Sequence, residues 1–144
     1  MFFTLIIPAF NADQIGKLLY SVVCQNEPDL QVIICDDSES DGVYRVYNKY
    51  SAYLNLVYFK TNKHKTKCPG NTRYDGMKHI PEDTKYVLFA DDDDFFEANA
   101  LPKIKRFIID NNYPEMVFSN IYETRDTKCD NMCYLYCCEQ YPKV

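Results

Sequence analysis

Short apolar runs alternate with amphipathic helical stretches along most of this chain, and no other feature narrows its fold as far. Phe2-Phe3-Thr4-Leu5-Ile6-Ile7 is β-branched and aromatic and stops at Pro8, which reads as a buried strand. From about Asp13 to Cys24, Ile15, Leu18, Leu19, Val22 and Val23 recur at spacings of three and four, so a helix there has one apolar face. Glu27-Pro28-Asp29 breaks it, and Leu30 to Cys35 forms a second strand that runs into Asp36-Asp37. Asp41-Gly42 turns the chain into a helix over about Val43 to Tyr53, and Leu54 to Phe59 supplies a third strand. A helix opening at Asn71 or Thr72 passes through Met77 and Ile80 until Pro81 ends it. Tyr86 to Ala90 is a fourth strand, Leu101, Ile104, Phe107, Ile108 and Ile109 mark a fourth helix, and Met116 to Tyr122 is a fifth strand. Parallel neighbours need a long crossover, which a helix supplies. The pattern therefore predicts a single-domain α/β fold with a doubly wound, mostly parallel sheet and right-handed crossovers.

Ligands of such sheets bind beyond the carboxyl ends of the strands, and two acidic groups fall there. Asp36-Asp37 follow the second strand, and Ala90-Asp91-Asp92-Asp93-Asp94-Phe95 follows the fourth. Four adjacent carboxylates repel one another and must be hydrated or neutralised, because burying an unpaired charge is costly. Oxygen ligands suit Mg²⁺, Mn²⁺ or Ca²⁺, and Mg²⁺ takes one or two protein carboxylates and completes its shell with water and phosphate oxygens. The run reads as a metal-diphosphate site. A second reading stays open beside it: a solvated acidic turn, or a helix start with Asp94 as its cap. On extended backbone Asp91 and Asp93 would share one side and Asp92 and Asp94 the other, so all four cannot serve one ion. The DxDxDG pattern of a calcium loop is absent.

A chain of 144 residues with 47% hydrophobic and 26% charged side chains suits a soluble globular domain able to bury a core. Its net charge of −5 argues against broad nucleic-acid binding. Lys60, Lys63, Lys65, Lys67 and Arg73, with His64 among them, form a local basic stretch that fits a solvated loop or an anionic ligand. Met1 to Phe10 lacks the basic start of a secretory leader, and no stretch approaches the ~20 apolar residues of a membrane span. Seven cysteines without a leader point to a reducing cytoplasm. Cys129, Cys133, Cys137 and Cys138 lack CxxC spacing and histidine partners, so they read as buried or interface thiols rather than metal ligands.

Five segments, in this order, resemble family 2 glycosyltransferases of the GT-A type, which use nucleotide-activated sugars. They are Ile6-Ile7-Pro8-Ala9-Phe10-Asn11, Ser21-Val22-Val23-Cys24-Gln25, Ile33-Ile34-Cys35-Asp36-Asp37-Ser38-Glu39-Ser40-Asp41-Gly42, Gly70-Asn71-Thr72-Arg73-Tyr74-Asp75-Gly76 and Tyr86-Val87-Leu88-Phe89-Ala90-Asp91-Asp92-Asp93-Asp94. The resemblance spans about Phe3 to Tyr122. It implies a Rossmann-like GT-A core, shortened at the C-terminus, with a nucleotide-sugar-binding part over 1–122 and a Cys- and Tyr-rich segment over 123–144. It places Pro8, Phe10 and Asn11 in the loop that lines the nucleotide base, with Phe10 packing on the ring. Asp37 matches the carboxylate that hydrogen-bonds the base, while Asp36 supports the loop. Arg73 matches an arginine near the nucleotide, where a planar fork suits phosphate or base. Asp91, Asp92 and Asp93 match the DXD motif. In that motif Asp93 ligates Mn²⁺ or Mg²⁺, and Asp91 and Asp92 lie nearer the ribose or the ion's shell.

The implied activity is metal-dependent transfer of a sugar from a nucleotide-diphosphate donor, UDP- or dTDP-linked ahead of guanosine, by inverting displacement with a carboxylate base. That base and the acceptor-binding part lie downstream of the DXD motif in the family. Among Asp110, Glu115, Glu123, Asp126, Asp130 and Glu139 nothing marks one as the base, and Glu97 reads as a helix start. The catalytic base and the acceptor are left unassigned. The acceptor side is expected to be completed by the tail, by a second copy joined through it, or by a partner. The alternative is a non-catalytic or truncated nucleotide-sugar-binding module.

Overall fold

Ile, Leu and Val crowd the two strands that end up at the centre of the sheet, and charge enters only at the end of the second, with Asp36. The computed structural model describes residues 1–61 and 68–119. In chain order these form β1 (Phe3–Ala9), α1 (Ala12–Val23), β2 (Leu30–Asp36), α2 (Gly42–Tyr50), β3 (Asn55–Lys60), α3 (Pro69–Met77), β4 (Tyr86–Phe89) and α4 (Ala100–Asp110). All three strand pairings are parallel, in the order β3-β2-β1-β4. This is the doubly wound parallel sheet that the alternation predicts.

Each face of the sheet is covered. Leu5 and Ile7 of β1 and Val32 and Ile34 of β2 pack with Ile15, Leu18 and Leu19 of α1, Val43 of α2 and Leu101, Ile104 and Ile108 of α4. The opposite face is a smaller cluster of Ile6, Ile33 and Cys35, against which Val57, Phe59 and Ile80 pack. There α3 comes close enough that only a glycine fits: a Cβ on Gly76 would lie 2.6 Å from Ile6 Cγ2 and 2.7 Å from Cys35 Sγ. Burial, and secondarily the nearby Asp75 charge, pushes the Cys35 thiol up to about 12, so it is an inert packing group.

The register leaves a gap. β4 pairs with β1 from Phe3 to Ile6 and then ends, whereas β1 continues beside β2 to Ala9. The Ala9 carbonyl accepts from Asp37 N on the β2 side, and the Ile6 carbonyl accepts from Ala90 N on the β4 side. Pro8 shares the parity of Ile6, so its missing N–H faces the space beyond the end of β4, where no strand needs a donor. The strand therefore runs through Pro8 instead of stopping there. The chain order also reverses at β1, which makes the space between β1 and β4 the switch point at which such sheets open a crevice.

Other boundaries shift for local reasons. α2 ends at Tyr50, with the chain turning before β3. α3 opens earlier than expected because Pro69 occupies its first turn, where a missing N–H is harmless, and it ends at Met77. Asp94 caps no helix: α4 starts at Ala100, after Asn99 in the left-handed region, and Glu97 precedes it. A Schellman pair closes α4, with Asn112 N donating to Ile109 O and Tyr113 N to Ile108 O. Met116, Val117 and Phe118 form no strand, and Ser119 makes a single bridge. Residues 120–122 of the expected fifth strand lie outside the described residues. So do Lys63, His64, Lys65, Lys67 and the whole 123–144 segment with its four cysteines. Among the described residues no helix is long and apolar enough to cross a membrane.

Replacing Gly76 with alanine is expected to lower stability by about 1–3 kcal/mol, read from the urea midpoint, because both atoms the methyl would meet are buried core. An unchanged midpoint would mean that α3 rides further from the sheet.

Candidate functional site

Loops from four elements meet at the open end of the crevice. Pro8, Ala9 and Phe10 from the end of β1, Asp37 beyond β2, Cys68, Pro69 and Thr72 at the start of α3, and Asp91, Asp92 and Asp93 beyond β4 line a cavity of about 430 Å³. Six sequence-predicted residues thus converge on one space: Pro8, Phe10, Asp37, Asp91, Asp92 and Asp93. Asn11 and Arg73 stand behind it. Asn11 caps α1 through its side-chain oxygen, which accepts from Asp13 N at 2.9 Å and Gln14 N at 3.4 Å. Arg73 pairs with Asp91, and its Nε is buried with no hydrogen-bond partner among the described residues.

The end of β2 carries two carboxylates with different work. Asp36 is fully buried. It accepts from Ser38 N at 2.8 Å and from Tyr58 Oη at 2.7 Å, and it pairs with Lys60 Nζ at 2.8 Å. Burial raises its pKa, but the bonds from Lys60, Ser38 and Tyr58 outweigh it and leave the carboxyl below its ordinary value. Lys60 also donates to Ser38 O at 3.0 Å and Ser40 O at 2.9 Å. Together Asp36 and Lys60 fold the loop that presents Asp37. Asp37 is only partly buried; its Oδ1 accepts from Thr61 Oγ1 at 3.1 Å and its N–H ties it to β1.

The acidic run is a turn. Asp94 N donates to Asp91 O, and Asp94 Oδ2 accepts from Asp91 N at 3.0 Å, so the side chains do not alternate as they would on extended backbone. The turn disperses the four carboxylates: Asp91 to Arg73, Asp94 back onto its own turn, and Asp92 to the backbone of Phe10 and Asn11. Asp93 is exposed at the cavity, and among the described residues no hydrogen bond or ion pair holds it. Repulsion within the run is thus relieved by separate donors.

Three supporting residues went unassigned in the sequence. Thr61 steadies Asp37, and Ser21 in the last turn of α1 and Gln25 just beyond the helix hold the chain after the acidic turn. Ser21 Oγ accepts from Phe96 N at 2.9 Å; Gln25 Nε2 donates to Glu97 O at 2.9 Å, and its Oε1 accepts from Leu101 N at 3.1 Å. Gln25 is 2% exposed. Both stand in the Ser21-Val22-Val23-Cys24-Gln25 segment that carries part of the family resemblance, which was the signal available for this pair.

The Asp36 network sets a pH dependence. A folded-state pKa below the unfolded value stabilises the protein fully above the ordinary carboxylate range of about 3.9, and that contribution is lost as pH falls through the depressed value. Asp36→Asn is expected to flatten this acid limb, measured as thermal midpoint against pH below about 4. An equally steep limb in the variant would assign the acid loss to other groups.

The model of "Glycosyl transferase family 2" matches residues 4–134. Poly(ribitol-phosphate) beta-N-acetylglucosaminyltransferase TarS of Staphylococcus aureus is 31% identical over 113 residues, covering 75% of this chain and 19% of the relative. Minor teichoic acid biosynthesis protein GgaA of Bacillus subtilis is 26% identical over 127 residues, covering 85% of this chain and 28% of the relative. Among solved structures, residues 1–349 of S. aureus TarS in complex with UDP-GlcNAc superpose with a TM-score of 0.73 at 24% identity, a likeness of fold. That match covers 93% of this chain and 37% of the other.

Proposed function

Because this chain belongs to glycosyl transferase family 2, we propose that it binds a nucleotide-diphosphate sugar in the crevice between β1 and β4 and transfers the sugar to an acceptor hydroxyl. One observation carries the reading: Phe10, Asp37 and Asp93 face a single cavity. Phe10 is 57% exposed at the cavity, which puts its ring within reach of a base. Asp37 offers a steadied acceptor for a base N–H, and the N3–H of uracil or thymine suits it. A UDP- or dTDP-sugar is therefore the donor class we favour. The guanidinium of Arg73 stands behind Asp91, where it would bring positive charge towards the nucleotide's anionic oxygens.

The residues fit a divalent cation in one way. Among the described residues no three acidic, cysteine or histidine side chains converge into a metal cage. One carboxylate, with diphosphate oxygens and water completing the shell, is a coordination that Mg²⁺ and Mn²⁺ accept. Asp93 would hold the ion, and Asp91 would join it if its bond to Arg73 loosened. Bound there, the cation supplies Lewis-acid stabilisation of the charge on the departing diphosphate. The protein's own part is to orient the base, keep the diphosphate against Asp93 and present the sugar outward. The free thiols of Cys24, Cys35 and Cys68 fit a reducing compartment, and the cytoplasm is our proposed location.

A second reading has its own support. The carboxylates that line the cavity, Asp37, Asp91, Asp92 and Asp93, are all assigned above to the donor side, which leaves no base for an acceptor among them and supports a non-catalytic donor-binding module. Incubation with Mn²⁺ and a panel of nucleotide sugars separates the two, since free nucleoside diphosphate appears only with turnover. Binding without release would support the module.

In calorimetric titration, Asp93→Ala is expected to reduce Mn²⁺-linked UDP affinity at least tenfold while the thermal midpoint holds or rises, because the lost charge repelled its neighbours. Equal UDP affinity with and without Mn²⁺ in the parent protein would refute the ion site. Phe10→Ala is expected to weaken UDP by roughly 5- to 100-fold, the range of base–aromatic stacking, and an unchanged Kd would remove the ring from the base site.

A further inference from the structure

We infer that Asp92 is a positioning residue: its carboxylate fixes the backbone that carries Phe10, and so joins the base side of the crevice to the diphosphate side. The inference rests on the donor site proposed above and deepens it. Asp92 Oδ2 accepts from Phe10 N at 2.7 Å and from Asn11 N at 2.8 Å. These N–H groups belong to the segment between β1 and α1, where pairing with β2 has ended and α1 has not begun. The same segment is tied to the sheet by the bond from Asp37 N to Ala9 O and to α1 by the Asn11 cap and the bond from Ile15 N to Asn11 O, and Asp92 adds the link to the acidic turn. The carboxylate also sits at the positive end of the α1 dipole, where a negative charge is favoured. Its Oδ2 is committed to two short N–H bonds, so at least that oxygen of Asp92 serves the protein backbone.

The other end of α1 grips the same stretch of chain. Ser21 accepts from Phe96 N, and Gln25 bonds both Glu97 O and Leu101 N. The acidic turn is thereby fixed relative to both ends of one helix before any ligand arrives. Recognition of the base should depend on Asp92 even when the ligand has no phosphate and no cation is present.

Uridine is the probe, titrated without metal against the parent protein, Asp92→Ala and Asp92→Asn, with the amide resonances of Phe10 and Asn11 followed by NMR. Asp92→Ala is expected to weaken uridine about tenfold, to move both amide protons upfield and to speed their exchange with solvent. Asp92→Asn keeps an acceptor oxygen in place and is expected to recover most of the affinity, with an intermediate amide shift. Unchanged amide resonances in either variant would overturn the inference, and Asp92→Asn alone decides it if Asp92→Ala does not fold. A loss confined to Mn²⁺-linked UDP binding, which asparagine fails to restore, would identify a metal ligand and also overturn it. If the parent protein binds no uridine, the donor reading fails, and the two amide signals still decide whether Asp92 holds the loop.

Discussion

The mismatch between a long β1 and a short β4 creates the space on which the rest of this molecule turns. Strand pairing between β1 and β4 lapses at Phe89, so the chain beyond β4 is released into a turn while β1 continues beside β2 to Ala9. Helices on both faces keep the two central strands buried, and polar groups appear where they end. The sheet makes the site by stopping.

Electrostatics then decides how the released loops are arranged. Within the acidic turn, three of the four carboxylates find separate donors in a guanidinium, a helix N-terminus and the turn itself. The buried carboxylate of Asp36 is satisfied by an exposed lysine, a tyrosine and a backbone amide. Such pairing is required, since an unpartnered carboxylate at these depths would be strongly disfavoured. The negative groups that remain available, Asp37 and Asp93, stand on opposite sides of the cavity mouth, beyond β2 and beyond β4.

Much of this was readable before any coordinates. The apolar spacing of Ile15, Leu18, Leu19 and Val22 specified the buried face of α1, and the runs before Pro8 and Asp36 specified the central strands. That Asp36-Asp37 and Asp91 to Asp94 would face one crevice followed from the rule that parallel sheets bind ligands at their carboxyl ends, whereas Phe10, and the choice of Asp37 and Asp93 within those groups, came from the resemblance to family 2 glycosyltransferases. What escaped was set by tertiary neighbours. Nothing local announces that β4 ends at Phe89, that the aspartates turn, or that Asp92 reaches residues about eighty positions earlier. Pro69 followed by Gly70 looks like a breaker, yet at a first helical turn proline is compatible with the helix that follows it.

Pro8 carries one more consequence. An open strand end beside a cleft is a template on which another extended segment can zip, and a free amide at that position would complete the ladder for it. The ring of Pro8 withholds the donor while its carbonyl remains, so an added strand would meet an acceptor but no amide at that point of the β1 border. Edge-on pairing is one bond poorer there, a local brake on intruding backbone.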